Sequence, residues 1–195
     1  MARTARTVTA LIASGGLAAG MGLAGAPALA AGGAGPSAQV STASQSGEWP
    51  EYTRGQMGWD VAVAKYLLWE QGYYEPYKVV DHVLDDRALD SLMDYQQDTD
   101  LKVTGVLDAR SWEFLVEDAG PVRQGDESYT VSAVQTALSQ KHGYDLAEDG
   151  YSSDTPGRGT FGAATHDAVT GFQQEAGLEA DGEVDAATFK ALVAG

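Results

Sequence analysis

The fold is decided by residues 161–192, which read FGAATHDAVTGFQQEAGLEADGEVDAATFKAL. Five side chains recur at the spacing of one helix face, and they are Phe161, Thr165, Ala168, Val169 and Phe172. The Asp181-Gly182 pair then interrupts the pattern, as a tight turn does. Asp185 is placed to cap a following helix by accepting from the N–H of Thr188. The stretch therefore predicts two short helices joined by an acidic turn.

A third helix is predicted upstream. Val131, Val134 and Leu138 lie on one helix face, and the Gly143-Tyr144 pair closes the segment. None of the three helices could bury its apolar face alone, because isolated helices of this length are marginal in water. We therefore expect the three to share one small core.

Taken in order, these residues resemble the three-helix peptidoglycan-binding domain family. The anchors are Val131, Val134, Gln135, Leu138, Gly143, Tyr144, Phe161, Gly162, Thr165, Ala168, Val169, Phe172, Gln173, Gly177, Leu178, Asp181, Gly182, Thr188 and Leu192. The resemblance covers residues 122–195. It implies an all-α module, peptidoglycan as the ligand, and a place among secreted bacterial wall proteins. In that family, hydrolysis is performed by a separate domain fused to the module.

Residues 55–120 repeat the same pattern in eroded form. The apolar anchors are kept, and they include Val61, Leu68, Leu84, Leu92, Leu101, Leu107, Trp112 and Leu115. Three polar anchors are changed: Lys65 stands for Gln135, Ala88 for Thr165 and Thr104 for Asp181. The second copy also has a longer loop between its first two helices. The first copy is therefore either a structural support for the second or a site for something different.

The remaining sequence predicts how the chain is organised. Residues 1–30 are typical of an export signal, with Arg3 and Arg6 before an apolar segment and Ala28-Leu29-Ala30 at the cleavage site. Residues 31–50 predict a flexible linker rich in Gly, Ser and Ala. Residues 51–120 and 121–195 then form two tandem three-helix modules. The expected location is secreted, extracellular or associated with the cell wall.

The charge restricts the partners. The chain has a net charge of −16, which signal cleavage would move to −18. A protein this acidic lacks the basic surface that nucleic-acid binding requires, and no membrane contact is expected after cleavage. Peptidoglycan, through its glycan or its stem peptide, would have to be held by shape, stacking and local hydrogen bonds.

No catalytic chemistry is predicted. The chain has no cysteine, and its three histidines lack the spacing of metal ligands, so we expect neither a metal nor a cofactor. The signal, the linker and two modules leave no stretch for a catalytic domain. We therefore predict a non-catalytic wall-binding protein. The alternatives are a module that binds a secreted partner such as a wall hydrolase, and a glycosidase that uses two of the many carboxylates.

A module this small is expected to bind its ligand in a shallow groove between helix ends and loops. In the second copy the candidate ligand-binding residues are Tyr144, Tyr151, Arg158, Gln173, Asp181 and Gly182. Arg158 could pair with a stem-peptide carboxylate or stay solvated. Asp181 could instead close its turn, and Gln173 could bond a loop backbone. In the first copy, Trp112 predicts a core side chain, whereas four aromatics could either stack on sugars or fill the interior: Trp69, Tyr73, Tyr74 and Tyr77.

Overall fold

The computed structural model describes residues 47–195. The predicted signal peptide (1–30) and most of the predicted linker (31–50) lie outside the described residues. Where the predicted linker is described, at residues 47–50, it lies against both modules. Trp49 stacks on Trp112 with ring centroids 5.6 Å apart, and the Lys190 ammonium lies 5.6 Å from the Trp49 ring centroid.

The described residues fold into two copies of three helices, which confirms the all-α prediction. The first copy contains α1 (Trp59–Glu70), α2 (Asp86–Asp98) and α3 (Ala109–Ala119). The second contains α4 (Tyr129–Thr136), α5 (Ala163–Glu175) and α6 (Ala186–Ala194), with a short 3-10 turn at Ala147–Asp149. A small antiparallel pair, β1 (Glu127–Ser128) and β2 (Gly159–Thr160), brackets the second copy's first helix and long loop. Of the helices in residues 47–195, none is long and apolar enough to span a bilayer.

The repeat extends to the backbone pairing. An antiparallel bridge joins Tyr52 to Leu107 in the first copy, and its counterpart joins Val122 to Val184 in the second. Each bridge ties the segment before the first helix to the turn before the third. The N-cap that the sequence predicts for α6 is also present. The carboxylate of Asp185 accepts from the N–H of Thr188 at 2.8 Å, as predicted.

One residue of the predicted helix face lies outside its helix. Phe161 precedes α5, because its N–H donates to the Asp126 carbonyl and its own carbonyl accepts from Gly125, both at 2.9 Å. This strand-like pairing fixes the backbone before the helix begins. The Phe161 side chain is still buried in the core.

The last turn of α4 winds into a π-helical segment at Ala137–Lys141. The repeat explains this segment. Leu68 and Leu138 are 70 positions apart, whereas the glycines that end the two helices, Gly72 and Gly143, are 71 apart. A π-helical turn accommodates one extra residue without breaking the helix, so the second copy absorbs its insertion there.

The cores of the two copies are joined through α1 and α4. Nine consecutive residues of α1 are buried, Asp60 to Leu68, and so are nine of α4 and its π-helical turn, from Thr130 to Leu138. A helix buried all round must have neighbours on both faces, and these two helices pack on each other. The interface also holds an ion pair, in which the Lys141 ammonium lies 2.7 Å from the Asp60 carboxylate. The first copy is therefore a structural partner of the second.

Candidate ligand-binding site

The long loop of the second copy is anchored at its start by Asp149. One oxygen of this carboxylate accepts from both the N–H and the hydroxyl of Thr165 at 2.6 Å, and the other accepts from the N–H of Ala164 at 3.3 Å. In the first copy, Asp85 immediately precedes α2 and caps it locally. Gly162 occupies that position before α5, so the acid that caps this helix comes from the loop instead.

Gly162 is required for this arrangement. A Cβ atom there would lie 2.1 Å from the Asp149 carboxylate, which no side chain could tolerate without a shift. Burial alone would raise the pKa of Asp149, but the hydrogen bonds from Thr165 and the backbone at the start of α5 outweigh it and lower the pKa. The carboxylate is therefore held ionised as a structural cap.

The returning end of the loop is anchored on α4. The Ser132 hydroxyl donates to the Gly157 carbonyl and accepts from the N–H of Gly159, both at 2.7 Å. The buried Gln135 side-chain amide donates to the Thr160 carbonyl at 3.0 Å and to the Thr165 hydroxyl at 2.9 Å. Both ends of the loop are thus fixed to helices of its own module.

Between these anchors lies a pocket with a volume of about 250 Å³. Its lining is mostly polar and comes from the loop, from α4 and from one residue of α1. The lining residues are Tyr66, Ser132, Gln135, Asp149, Gly150, Tyr151, Ser152, Thr155, Gly157, Arg158, Gly159 and Thr160. Because Tyr66 belongs to the first copy, the pocket lies at the junction of the two modules.

Two of the six predicted ligand-binding residues meet in this pocket. The Tyr151 hydroxyl donates to the Thr136 hydroxyl at 3.4 Å, which places its ring along α4. The exposed Arg158 guanidinium donates to the Glu127 carbonyl at 3.0 Å and lies 5.8 Å from the ring centroid of Tyr129. Both are held by the protein, and both keep surface toward the pocket.

Three other predicted residues build the turn between α5 and α6. The Gln173 side chain is 1% exposed, and its amide nitrogen donates to Asp181 at 2.9 Å and to the Glu183 carbonyl at 2.8 Å. Its amide oxygen accepts from the N–H of Gly182, whose φ of 75° favours glycine. Gln96 makes the corresponding bonds around Gly105 in the first copy. These contacts give Gln173, Asp181 and Gly182 a clear structural role, and ligand contact by them stays a prediction.

The sixth predicted residue, Tyr144, follows the π-helical turn and lies beside Gly171 on α5. Burial and the nearby Glu175 carboxylate raise the pKa of its hydroxyl. It does not line the pocket. Its predicted contact with ligand also stays a prediction.

The aromatic side chains of the first copy divide between core and surface. Trp112 is fully buried, as predicted, and Tyr74 is nearly so. Trp69 is half-buried in a stack, whereas Tyr77 is 91% exposed with the Arg87 guanidinium 4.0 Å from its ring centroid. Sequence reasoning did not single out Tyr66, because its position on a helix gives no sign that it would reach the other module's loop.

The position of Gln135 is chemically different in the first copy. Lys65 stands there, 1% exposed, and its ammonium donates to the Asp81 carboxylate at 2.7 Å. An ion pair between the buried Lys65 and the partly exposed Asp81 thus stands where the second copy has the amide that forms part of the pocket lining. Within residues 47–195, no cluster of three or more His, Asp or Glu side chains could hold a metal ion.

Comparison with known proteins agrees with this architecture. The family model described as "Putative peptidoglycan binding domain" matches the chain twice, at residues 58–115 and 127–192. The two matches cover more than half of the chain, and the protein belongs to this family of peptidoglycan-binding domains. No curated protein and no solved structure matches the chain.

Proposed function

We propose that this is a secreted, non-catalytic protein that binds cell-wall peptidoglycan through its second module. Membership of the family supports peptidoglycan as the ligand. The observation that carries the proposal is the pocket under the long loop, which places Tyr151 and Arg158 together. The six-residue insertion that creates this loop is absent from the first copy.

The pocket is better suited to binding than to hydrolysis. Glycosidases use a pair of carboxyl groups about 5–9.5 Å apart, one of them free to donate a proton. Asp149 is the one carboxylate among the lining residues, and both of its oxygens already accept hydrogen bonds from α5. A second carboxyl group is missing from that lining. The site supports recognition of an intact ligand.

Co-sedimentation with purified peptidoglycan, stripped of teichoic acids and proteins, tests the proposal. We expect saturable retention of the chain from Ala31 to Gly195 that resists moderate salt, because a protein of this charge gains nothing from an anionic surface. Replacing both Tyr151 and Arg158 with alanine should weaken retention. The matched control is Arg110→Ala, which removes another exposed arginine, on α3.

The result that contradicts the proposal is a chain that is helical by circular dichroism yet does not sediment with the wall. Release of soluble fragments from the wall would contradict its non-catalytic part. A loss of retention in Arg110→Ala as large as in the double variant would show that the binding follows surface charge rather than the pocket.

A secreted protein partner is the second candidate, favoured by an apolar surface on the first copy. Leu89 and Met93 lie over Gly105, with the exposed Val103 on the same turn. The corresponding residues of the second copy are His166, Thr170 and Ala180, so this surface is apolar only in the first. Lysine at Met93 and Val103 should abolish capture of a purified wall hydrolase while leaving wall retention unchanged. Equal capture by this variant would remove the candidate.

A further inference from the structure

We infer that the pocket is a composite site for one neutral sugar ring of the glycan strand, and that Tyr66 of the first module supplies a hydrogen bond to it. The inference rests on the proposed peptidoglycan-binding function and adds to it a ligand class and a role for the eroded copy. Four observations lead to it: the state of the Tyr66 hydroxyl, the stack of rings beside it, the chemistry of the lining and the charge balance.

The Tyr66 hydroxyl has no hydrogen-bond partner among the described residues, although the side chain is only 4% exposed and lines the pocket. The Tyr66 oxygen is not among the fully buried unpaired polar atoms of residues 47–195, so it keeps surface at the pocket that the side chain lines. Burial, with the neighbouring Tyr151 and Tyr74, raises the pKa of Tyr66 to about 12, so the group is a neutral donor at physiological pH. It is therefore available to a ligand in the pocket.

The rings next to Tyr66 form a continuous stack across the module junction. Tyr66 stacks on Trp69 with centroids 6.3 Å apart, and Trp69 stacks on Tyr129 of α4 at 3.9 Å. Arg158 then lies over Tyr129. One end of the stack fixes the Tyr66 ring, and the other end reaches Arg158, which also lines the pocket. Such rigid aromatic packing positions the hydroxyl without a hydrogen bond of its own.

The rest of the lining suits a molecule that carries many hydroxyl or amide groups. Ser152 and Thr155 present hydroxyls and Gln135 its amide oxygen, whereas the Ser132 hydroxyl and the Gln135 amide nitrogen are already used to anchor the loop. The lining offers both donors and acceptors around a space of about 250 Å³, which is small for a ligand pocket. A single sugar ring fits this description better than an extended peptide does.

The charges favour a neutral ligand over an acidic stem peptide. The lining holds one cation and one anion, Arg158 and Asp149, and Arg158 already donates to the Glu127 carbonyl. The chain as a whole carries −16. A stem-peptide carboxylate would enter this field at an electrostatic cost, whereas an N-acetylated sugar would not.

The composite site also gives the first module a function despite its changed polar anchors. Lys65, which is paired with Asp81, stands where the second copy has Gln135, and the first copy lacks the long loop. Its contribution is instead α1, which packs on α4 and places Tyr66 in its neighbour's pocket. Recognition then requires both copies, although only the second has a near-complete set of family anchors.

Tyr66→Phe tests the inference, because it removes one hydroxyl that has no partner among residues 47–195 and leaves the packing intact. We expect unchanged unfolding by urea and an affinity about fivefold to tenfold lower for a soluble N-acetylglucosamine oligomer, measured by calorimetry. Tyr77→Phe is the matched control, since it removes an exposed tyrosine hydroxyl that does not line the pocket.

The outcomes separate this inference from the function on which it rests. If the wild-type chain is retained on peptidoglycan but Tyr66→Phe binds the oligomer with the same affinity as wild type, the composite site is overturned. The proposed function then stands. Binding of an isolated stem peptide in place of the oligosaccharide overturns the ligand class. Failure of the folded wild-type chain to bind peptidoglycan at all overturns the proposed function itself.

Discussion

The acid that anchors the long loop should be among the most important single side chains for the stability of the second module. Asp149 accepts three hydrogen bonds at the start of α5, including two from Thr165 at 2.6 Å. Loss of a helix cap costs about 1 kcal/mol, and a hydrogen bond to a charged acceptor contributes about 1.5–3 kcal/mol. Allowing for the partial exposure of the carboxylate, Asp149→Ala should lower the free energy of unfolding by about 3 kcal/mol.

Urea unfolding followed by circular dichroism measures this effect. With a urea dependence of about 1–3 kcal/mol/M, the midpoint should fall by about 1–3 M. The neighbouring exposed acid provides the control, because Glu148→Ala should stay within about 0.5 kcal/mol of wild type. Asp85→Ala should lie between them, since that residue caps α2 through a single bond to Ala88. An Asp149→Ala variant as stable as Glu148→Ala would refute the reasoning.

The pH dependence of Asp149→Ala follows from the lowered pKa of the carboxylate. A group whose pKa is lower in the folded state contributes stability that is fully present above its unfolded value of about 3.9 and is lost as the pH falls through the folded value. The stabilities of wild type and Asp149→Ala should therefore converge in acid. A difference that stays constant from neutral pH down to acid would show that the ionised carboxylate is not responsible.

Three further changes test other parts of the structure. Gln173→Leu should cost about 3 kcal/mol of unfolding free energy, measured in urea, because it orphans the buried turn of Gly182; near-wild-type stability would argue against a structural role. Asp81→Ala should cost about 1–2 kcal/mol, since it leaves the buried Lys65 ammonium with only Asp85, 4.0 Å away, as a counterion, and a stability change below about 0.5 kcal/mol would contradict this. Residues 121–195 alone should fail to unfold cooperatively by calorimetry, because α4 loses the partner that buries one of its faces, and a sharp transition like that of the whole chain would show that the modules are independent.

Local features of the fold could be predicted from the sequence. The apolar spacing predicted the helices of both copies. Asp185 could be predicted as the N-cap of α6, and Trp112 as a core side chain. These features depend on interactions within a few residues or on a periodicity that the chain displays directly. They hold in both copies because the apolar anchors were kept.

The joined core could not be read from the same pattern. Helical periodicity shows which residues are apolar but not which helix will cover them. One signal was present in the run Val61-Ala62-Val63-Ala64, since a helix that is apolar all round must be buried on several faces. The nine buried residues of α4 and its π-helical turn gave less warning, because Thr130, Ser132, Gln135 and Thr136 are polar.

The candidate site was predicted only in part, because its components are distant in sequence. Tyr151 and Arg158 share a loop and could be proposed together. Tyr66 reaches the same pocket from another module, and Asp149 caps a helix that begins 14 positions later, with Gly162 making room. Contacts of this kind depend on how the elements pack, which single-sequence spacing does not encode.

The most direct test of the central claim is an NMR titration of the isotope-labelled chain with soluble peptidoglycan fragments. Shift changes concentrated on Tyr66, on residues 149–160 and on Ser132 and Gln135 are predicted, and they should saturate together. Changes centred instead on the Asp181-Gly182 turn and Tyr144, or spread evenly over the surface, would contradict the pocket at the module junction as the site of recognition.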